Sequence, residues 1–227
     1  MNILTEQQIH QILILFIWVF TLSYVFFPLI RSVIISLKIK NNVISRSSHQ
    51  GYVPNFGGIV FFMSYFSVFF LISEFRQVST TFVLLAAMAV VFVTGFLDDL
   101  INLSPKLKLV GQLISASIVL VEPQLTINSL HGFLGVYEIP FFYSSIGTVF
   151  FLVLLINAFN LIDGIDGLTA ITGIVISVFY SLVFLKASQF LFFAICMTNI
   201  AMLLAFLRYN FSRSKKIFMG DTGSLLL

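Results

Sequence analysis

Every aspartate in this chain, Asp98, Asp99, Asp163, Asp166 and Asp221, stands where a long apolar stretch begins or ends. Ionised carboxylates are costly next to hydrocarbon, so residues in such places must be hydrated, paired or metal-bound. Asp98 and Asp99 close one apolar run as Gly95-Phe96-Leu97-Asp98-Asp99. Adjacent carboxylates repel unless a cation intervenes, and Lys106 and Lys108 follow closely enough to neutralise them or to hold a phosphate; alone, the pair also fits a solvated helix end. Asn157, Asn160 and Asp163 are spaced by three, which keeps them on one face of a helix, and Gly164 and Gly167 let the backbone turn Asp166 back toward that stripe. Hydrogen bonding between helices is the bland alternative. Gly220-Asp221-Thr222-Gly223-Ser224 opens another apolar run after a basic loop, where glycines and hydroxyls can expose backbone N–H groups to an anion, or Asp221 can be a plain N-terminal cap. Arg46 and His49, ahead of Pro54-Asn55-Phe56-Gly57-Gly58, can reach phosphate oxygens.

Taken together, these stretches offer five carboxylates, several cations and anion-binding backbone. An oxygen-rich carboxylate set suits Mg²⁺, which keeps some waters and bridges protein to phosphates. No Cys/His spacing suits zinc, and there is no Walker-type glycine loop, dinucleotide fingerprint or nucleophile elbow. Phosphate transfer on a metal is the chemistry that remains. The single cysteine, Cys196, has no disulfide partner and reads as a packing residue.

The elements that must position these groups are membrane helices. Hydrophobic residues make up 59% of the 227 residues and charged residues only 9%, with a mean hydropathy of +1.07. A soluble surface cannot accommodate that composition. A bilayer core about 30 Å thick needs roughly 20 apolar residues per helical span. Such runs occur at 9–30, 56–73, 80–97, 107–121, 145–162, 168–185 and 189–207, with an eighth beginning near Leu225. The expectation is an all-α polytopic integral membrane protein, one membrane domain over 1–227, with seven complete spans and the start of another. The first run follows a segment without Lys or Arg and without a cleavage site, so it reads as an anchor.

Alternating the connecting segments between the two sides collects Arg31, Lys38, Lys40, Arg46, Lys106, Lys108, Arg208, Arg213, Lys215 and Lys216 on one side and leaves Arg76 and Lys186 on the other. Basic residues mark the cytoplasmic side, so the N-terminus is expected outside. All five aspartates then fall at cytoplasmic span ends, and Glu6, Glu74, Glu122 and Glu138 fall outside.

PNFGG, GFLDDLINLSPKLKLVGQ, NAFNLIDGIDGL and MGDTGS occur in that order. In these motifs the chain resembles the polyprenyl-phosphate N-acetylhexosamine-1-phosphate transferases, glycosyltransferase family 4, and NLIDGIDGL is most similar to the branch acting on UDP-N-acetylglucosamine. The resemblance implies a bacterial plasma-membrane enzyme with its active site on the cytoplasmic face. It would transfer N-acetylglucosamine 1-phosphate from a UDP-sugar to undecaprenyl phosphate, release UMP, and start a cell-envelope polymer such as lipopolysaccharide or teichoic acid linkage units. The phospho-N-acetylmuramoyl-pentapeptide transferase of peptidoglycan synthesis is the neighbouring branch. The resemblance further implies Mg²⁺, or Mn²⁺ in its place, held by Asp221 and Asp99. Asp98, Asp99, Asp163 and Asp166 would be catalytic, and Arg46, His49, Lys108, Asn157 and Asn160 would bind substrate. It implies a homodimer, no nucleic-acid partner and a small external β-hairpin near 125–140. Ser47 and Asn55 stand where the family often has Lys and Arg.

The chain stops at Leu227, ahead of the later helices and the His-rich loop of that family, so it is expected to lack full activity alone. A transporter or flippase would place its acids near the bilayer midplane rather than at one face. A phosphatidyl-alcohol transferase would carry an Arg soon after its DG motif and later paired aspartates, which are missing. A silent membrane scaffold is the third competitor.

Overall fold

A computed structural model describes residues 5–37, 53–72, 75 and 78–227. The expected apolar runs fold as α1 (Glu6–Ser36), α2 (Gly57–Leu71), α3 (Ser79–Ile101), α4 (Pro105–Val119), α5 (Phe141–Ile162), α6 (Leu168–Lys186) and α7 (Phe190–Asn210), followed by a short α8 (Gly220–Ser224). Five of them, α1, α3, α5, α6 and α7, are long and apolar enough to cross a membrane. α2, at 15 residues, is shorter than the run expected at 56–73, whereas α4, also 15 residues, has the length expected at 107–121 and starts two residues earlier, at Pro105.

α1, α2 and α7 pack around an aromatic centre in which Phe27 and Phe61 each lie 5.6 Å from Phe206, ring centroid to ring centroid. All three rings are buried. Polar links tie the helices where hydrocarbon offers no competing partner: the Ser23 and Ser64 hydroxyls meet at 3.1 Å, and the Tyr65 hydroxyl donates to Asn199. α6 packs on α7, α3 on α4, and α4 on α5.

α3 ends because Asn102 adopts the left-handed conformation, φ 52°. Ser104 then caps α4, with Pro105 at its first turn, where the missing N–H costs nothing. α8 is wedged between α2 and α3. Pro54–Gly58 and Phe218–Met219 run alongside one another, with Phe218 N–H donating to Pro54 O (2.8 Å), Gly57 N–H to Phe218 O (3.1 Å) and Gly58 N–H to Met219 O (3.0 Å). A Cβ on Gly58 would collide with Gly223, and one on Gly95 would come within 2.6 Å of the Asp221 carbonyl oxygen. The glycines of two separate motifs therefore let α8 approach at backbone distance.

In place of the expected β-hairpin, residues 125–140 form a loop, and no strand occurs among the described residues. The chain doubles back through Ile139 N–H to Asn128 O (2.9 Å) and Gly132 N–H to Val136 O (3.0 Å). His131, Gly132, Leu134 and Gly135, at the tip of this reversal, all have positive φ, and the arms below them exchange too few backbone bonds to form a ladder.

Candidate active site

The C-terminal ends of α3 and α5, the N-terminal turn of α4 and the start of α8 meet at one end of the bundle. At their centre is Lys108, one turn into α4. Its ammonium donates to Asp221 Oδ1 at 2.6 Å, to Asp98 Oδ2 at 3.0 Å and to Asn160 Oδ1 at 3.2 Å. Asn160 in turn donates to the Asp221 carboxylate and to the Ser224 hydroxyl, the latter at 2.8 Å. Asp98 also accepts from Leu103 N–H at 2.7 Å, so one side chain closes the α3–α4 turn and orients the lysine beyond it.

Asp99, the next residue on α3, points elsewhere. Its Oδ1 accepts from Asn55 Nδ2 (2.7 Å) and Asp221 N–H (3.0 Å), and its Oδ2 from Thr222 N–H (2.8 Å) and the Thr222 hydroxyl (2.5 Å). Successive helical residues project about 100° apart, so the acidic pair divides between two sets of partners.

Asp163 caps α5, and Asp166 sits in the turn that leads to Gly167, whose φ of 75° opens α6. Both border a polar cavity of about 680 Å³ that Asn55, Asp99, Asn160 and Asp221 also line. Burial, and then the charge of Asp221, push Asp163 up to about 8. Burial works to raise Asp221 too, but Lys108 beside it prevails and holds its carboxyl below the ordinary value. Asp166 pairs with Lys216 at 2.5 Å.

Of the residues singled out in the sequence, Asp98, Asp99, Lys108, Asn160, Asp163, Asp166 and Asp221 converge here. Asn157 lies deeper along α5 and exchanges hydrogen bonds with Gln112 of α4 at 2.7 and 3.3 Å. Arg46 and His49 lie outside the described residues. Two residues escaped the sequence reading. Gln112, 1% exposed, sits one helical turn beyond Lys108, a spacing that could have revealed it. Asn210 accepts from Gly167 N–H (2.7 Å) and donates to Ile217 O (3.2 Å), stapling the Asp166 turn to the segment before α8. Its place at the end of α7, between Arg208 and the basic segment that follows, gave no sign of that pairing.

Among the described residues no group of three or more His, Cys, Asp or Glu side chains is arranged to hold a metal. The site does contain two carboxylates, Asp98 and Asp221, sharing one cation in Lys108, with the Asn160 carbonyl oxygen beside them. That hard-oxygen set fits Mg²⁺, which takes one or two protein carboxylates and completes its shell with water and phosphate.

Apolar helices with an acid-lined cavity at one end of their bundle are the architecture of an integral membrane protein. The model of glycosyl transferase family 4 matches residues 81–227, and the chain belongs to that family. It is 33% identical over 217 residues to the undecaprenyl-phosphate alpha-N-acetylglucosaminyl 1-phosphate transferase of Salmonella typhi, covering 93% of this chain and 58% of that protein. Against the probable undecaprenyl-phosphate N-acetylglucosaminyl 1-phosphate transferase of Bacillus subtilis the identity is 28%, covering 98% of this chain and 62% of the relative. Against a phospho-N-acetylmuramoyl-pentapeptide-transferase of Clostridium botulinum it is 28%, covering 100% and 72%. The chain thus spans less than two thirds of the length of the first two.

Proposed function

We propose that this chain carries the catalytic face of a Mg²⁺-dependent transferase that moves N-acetylglucosamine 1-phosphate from UDP-N-acetylglucosamine to undecaprenyl phosphate. The observation that carries this reading is the single lysine shared by Asp98, Asp221 and Asn160 at the edge of an acid-lined cavity. The Salmonella and Bacillus names support the acceptor lipid and the transferred group. A phosphate oxygen of the lipid forms a bond to the β-phosphorus of the UDP-sugar, the bond from that phosphorus to the bridging oxygen breaks, and UMP leaves. Because the second pKa of a phosphate monoester is about 6, most of the nucleophile is already ionised near neutral pH. Asp98 and Asp221 would hold the metal, whose contribution when bound is charge neutralisation on the diphosphate. Lys108 contacts phosphate, Asn160 orients Asp221, and Asp163 and Asp166 shape the nucleotide side of the cavity. The distribution of Lys and Arg supports a cytoplasmic site with the N-terminus outside. The Clostridium relative's name favours a second reading, transfer of phospho-N-acetylmuramoyl-pentapeptide to the same kind of lipid.

Membranes containing the protein as its gene encodes it, given radiolabelled UDP-N-acetylglucosamine, undecaprenyl phosphate and Mg²⁺, should form a labelled lipid and release UMP, and EDTA should stop both. Asp221→Asn should abolish most turnover while the protein remains in the membrane. Full turnover in that variant would remove Asp221 from the site.

A further inference from the structure

We propose that Asp99 is a positioning residue: its carboxylate grips the backbone at the start of α8 and thereby aims Asp221, while Asp98 is the member of the pair that faces the reacting groups. This deepens the transferase reading and rests on it. Asp99 is only 5% exposed, and four protein donors converge on its two oxygens: the Asn55 amide, the N–H of Asp221, and the N–H and hydroxyl of Thr222. A carboxylate has about four lone-pair directions, so these donors occupy its capacity. The first N–H groups of a helix have no partner within it, so Asp99 supplies from α3 the acceptors that α8 lacks. One of those groups is the N–H of Asp221 itself, which couples the grip directly to the side chain that meets Lys108.

The surrounding backbone leaves α8 little freedom to settle elsewhere. A Cβ at Gly220 would lie 2.6 Å from Asp99 Oδ2, and one at Gly95 would lie 2.7 Å from the Thr222 Cα. Asp98 commits only one oxygen to backbone, Oδ1 accepting from Leu103 N–H, while its Oδ2 meets the end of a lysine side chain, a contact that an incoming ligand can displace. The acidic pair is therefore divided between holding the site together and contacting what enters it.

The test is Mn²⁺ binding, followed by electron paramagnetic resonance, on the detergent-solubilised protein without nucleotide. Asp221→Asn should abolish binding. Asp99→Asn, which turns an NH₂ toward two donors, and Thr222→Val, which alters no charge, should each weaken binding roughly tenfold. The double variant should bind no more weakly than Asp99→Asn alone, and Thr222→Ser should restore the parent affinity. If Thr222→Val does not reach the membrane, Asn55→Ser removes another donor from the same carboxylate and is read in the same way. Abolished binding in Asp99→Asn with parent affinity in Thr222→Val would make Asp99 a ligand and overturn the proposal. A lowered melting temperature with parent Mn²⁺ affinity in Thr222→Val would make the contact merely structural and overturn it too. Parent affinity in Asp221→Asn would instead sink the transferase reading on which the proposal rests.

Discussion

Lys108 holds the position of a cation between two carboxylates, and removing it should have effects of opposite sign on metal binding and turnover. In Lys108→Met, Asp98 and Asp221 lose the charge that separates them, so Mn²⁺ should bind more tightly than to the parent. Turnover should fall by about 10²-fold, because a donor aimed at the transferring phosphate is gone. Parallel Mn²⁺ titration and turnover assays would check this, and a fall in both would mean that Lys108 serves chiefly to hold Asp221. Asp163 gives a pH prediction. Burial and the neighbouring Asp221 raise its pKa from 3.8 to about 8 in the fold. Between those values the folded state binds more protons than the unfolded one, so this group makes stability fall as pH rises through the window. With EDTA present, Asp163→Asn should lose part of the drop in melting temperature that the parent shows between about pH 5 and about pH 8. Identical slopes would show that Asp163 does not titrate there. That these residues gather at one end of the bundle was legible because charged and amide side chains interrupt apolar runs. The split between Asp98 and Asp99 was not legible, since their spacing says that they diverge but not what each meets.

At the scale of elements, the close fit of α8 depends on glycines in other motifs. Gly95→Ala would bring a Cβ to 2.6 Å from the Asp221 carbonyl oxygen and 2.8 Å from its carbonyl carbon, both backbone atoms that cannot rotate away. Overpacking of this kind costs about 1–3 kcal/mol. The melting temperature should fall, and Mn²⁺ affinity should fall with it because α8 carries Asp221. Loss of stability with unchanged affinity would show that α8 moves as a body without disturbing the site. Hydropathy alone located all seven long helices, because a run of apolar residues records burial in lipid or protein directly. It overstated α2, which ends where Leu71 gives way to extended backbone, and placed α4 two residues late, because hydropathy does not register the Ser104-Pro105 start. The β-hairpin was expected from resemblance; the chain does reverse there, through Ile139 N–H to Asn128 O, but its arms exchange too few backbone bonds to form strands.

The molecule as a whole is polarised: its aspartates gather at the end where α3, α5 and α8 meet, and the loop at 125–140 is carried on the segment between α4 and α5. The proposed orientation puts the aspartate end in the cytoplasm, on the ground that Lys and Arg are retained on that side during insertion. The chain has one cysteine, which is buried, so Cys196→Ser gives a background for labelling. Ile165, in the turn between Asp163 and Asp166, is 65% exposed, and Leu134, in the opposite loop, is 83% exposed. Ile165→Cys should react with a membrane-impermeant maleimide only in inverted vesicles, where the cytoplasmic face is outward, and Leu134→Cys only in intact cells. The reverse pattern would put the acidic cavity outside, beyond the reach of a cytoplasmic nucleotide sugar. Reaction of both from one side would mean that the bundle does not carry these two segments to opposite faces.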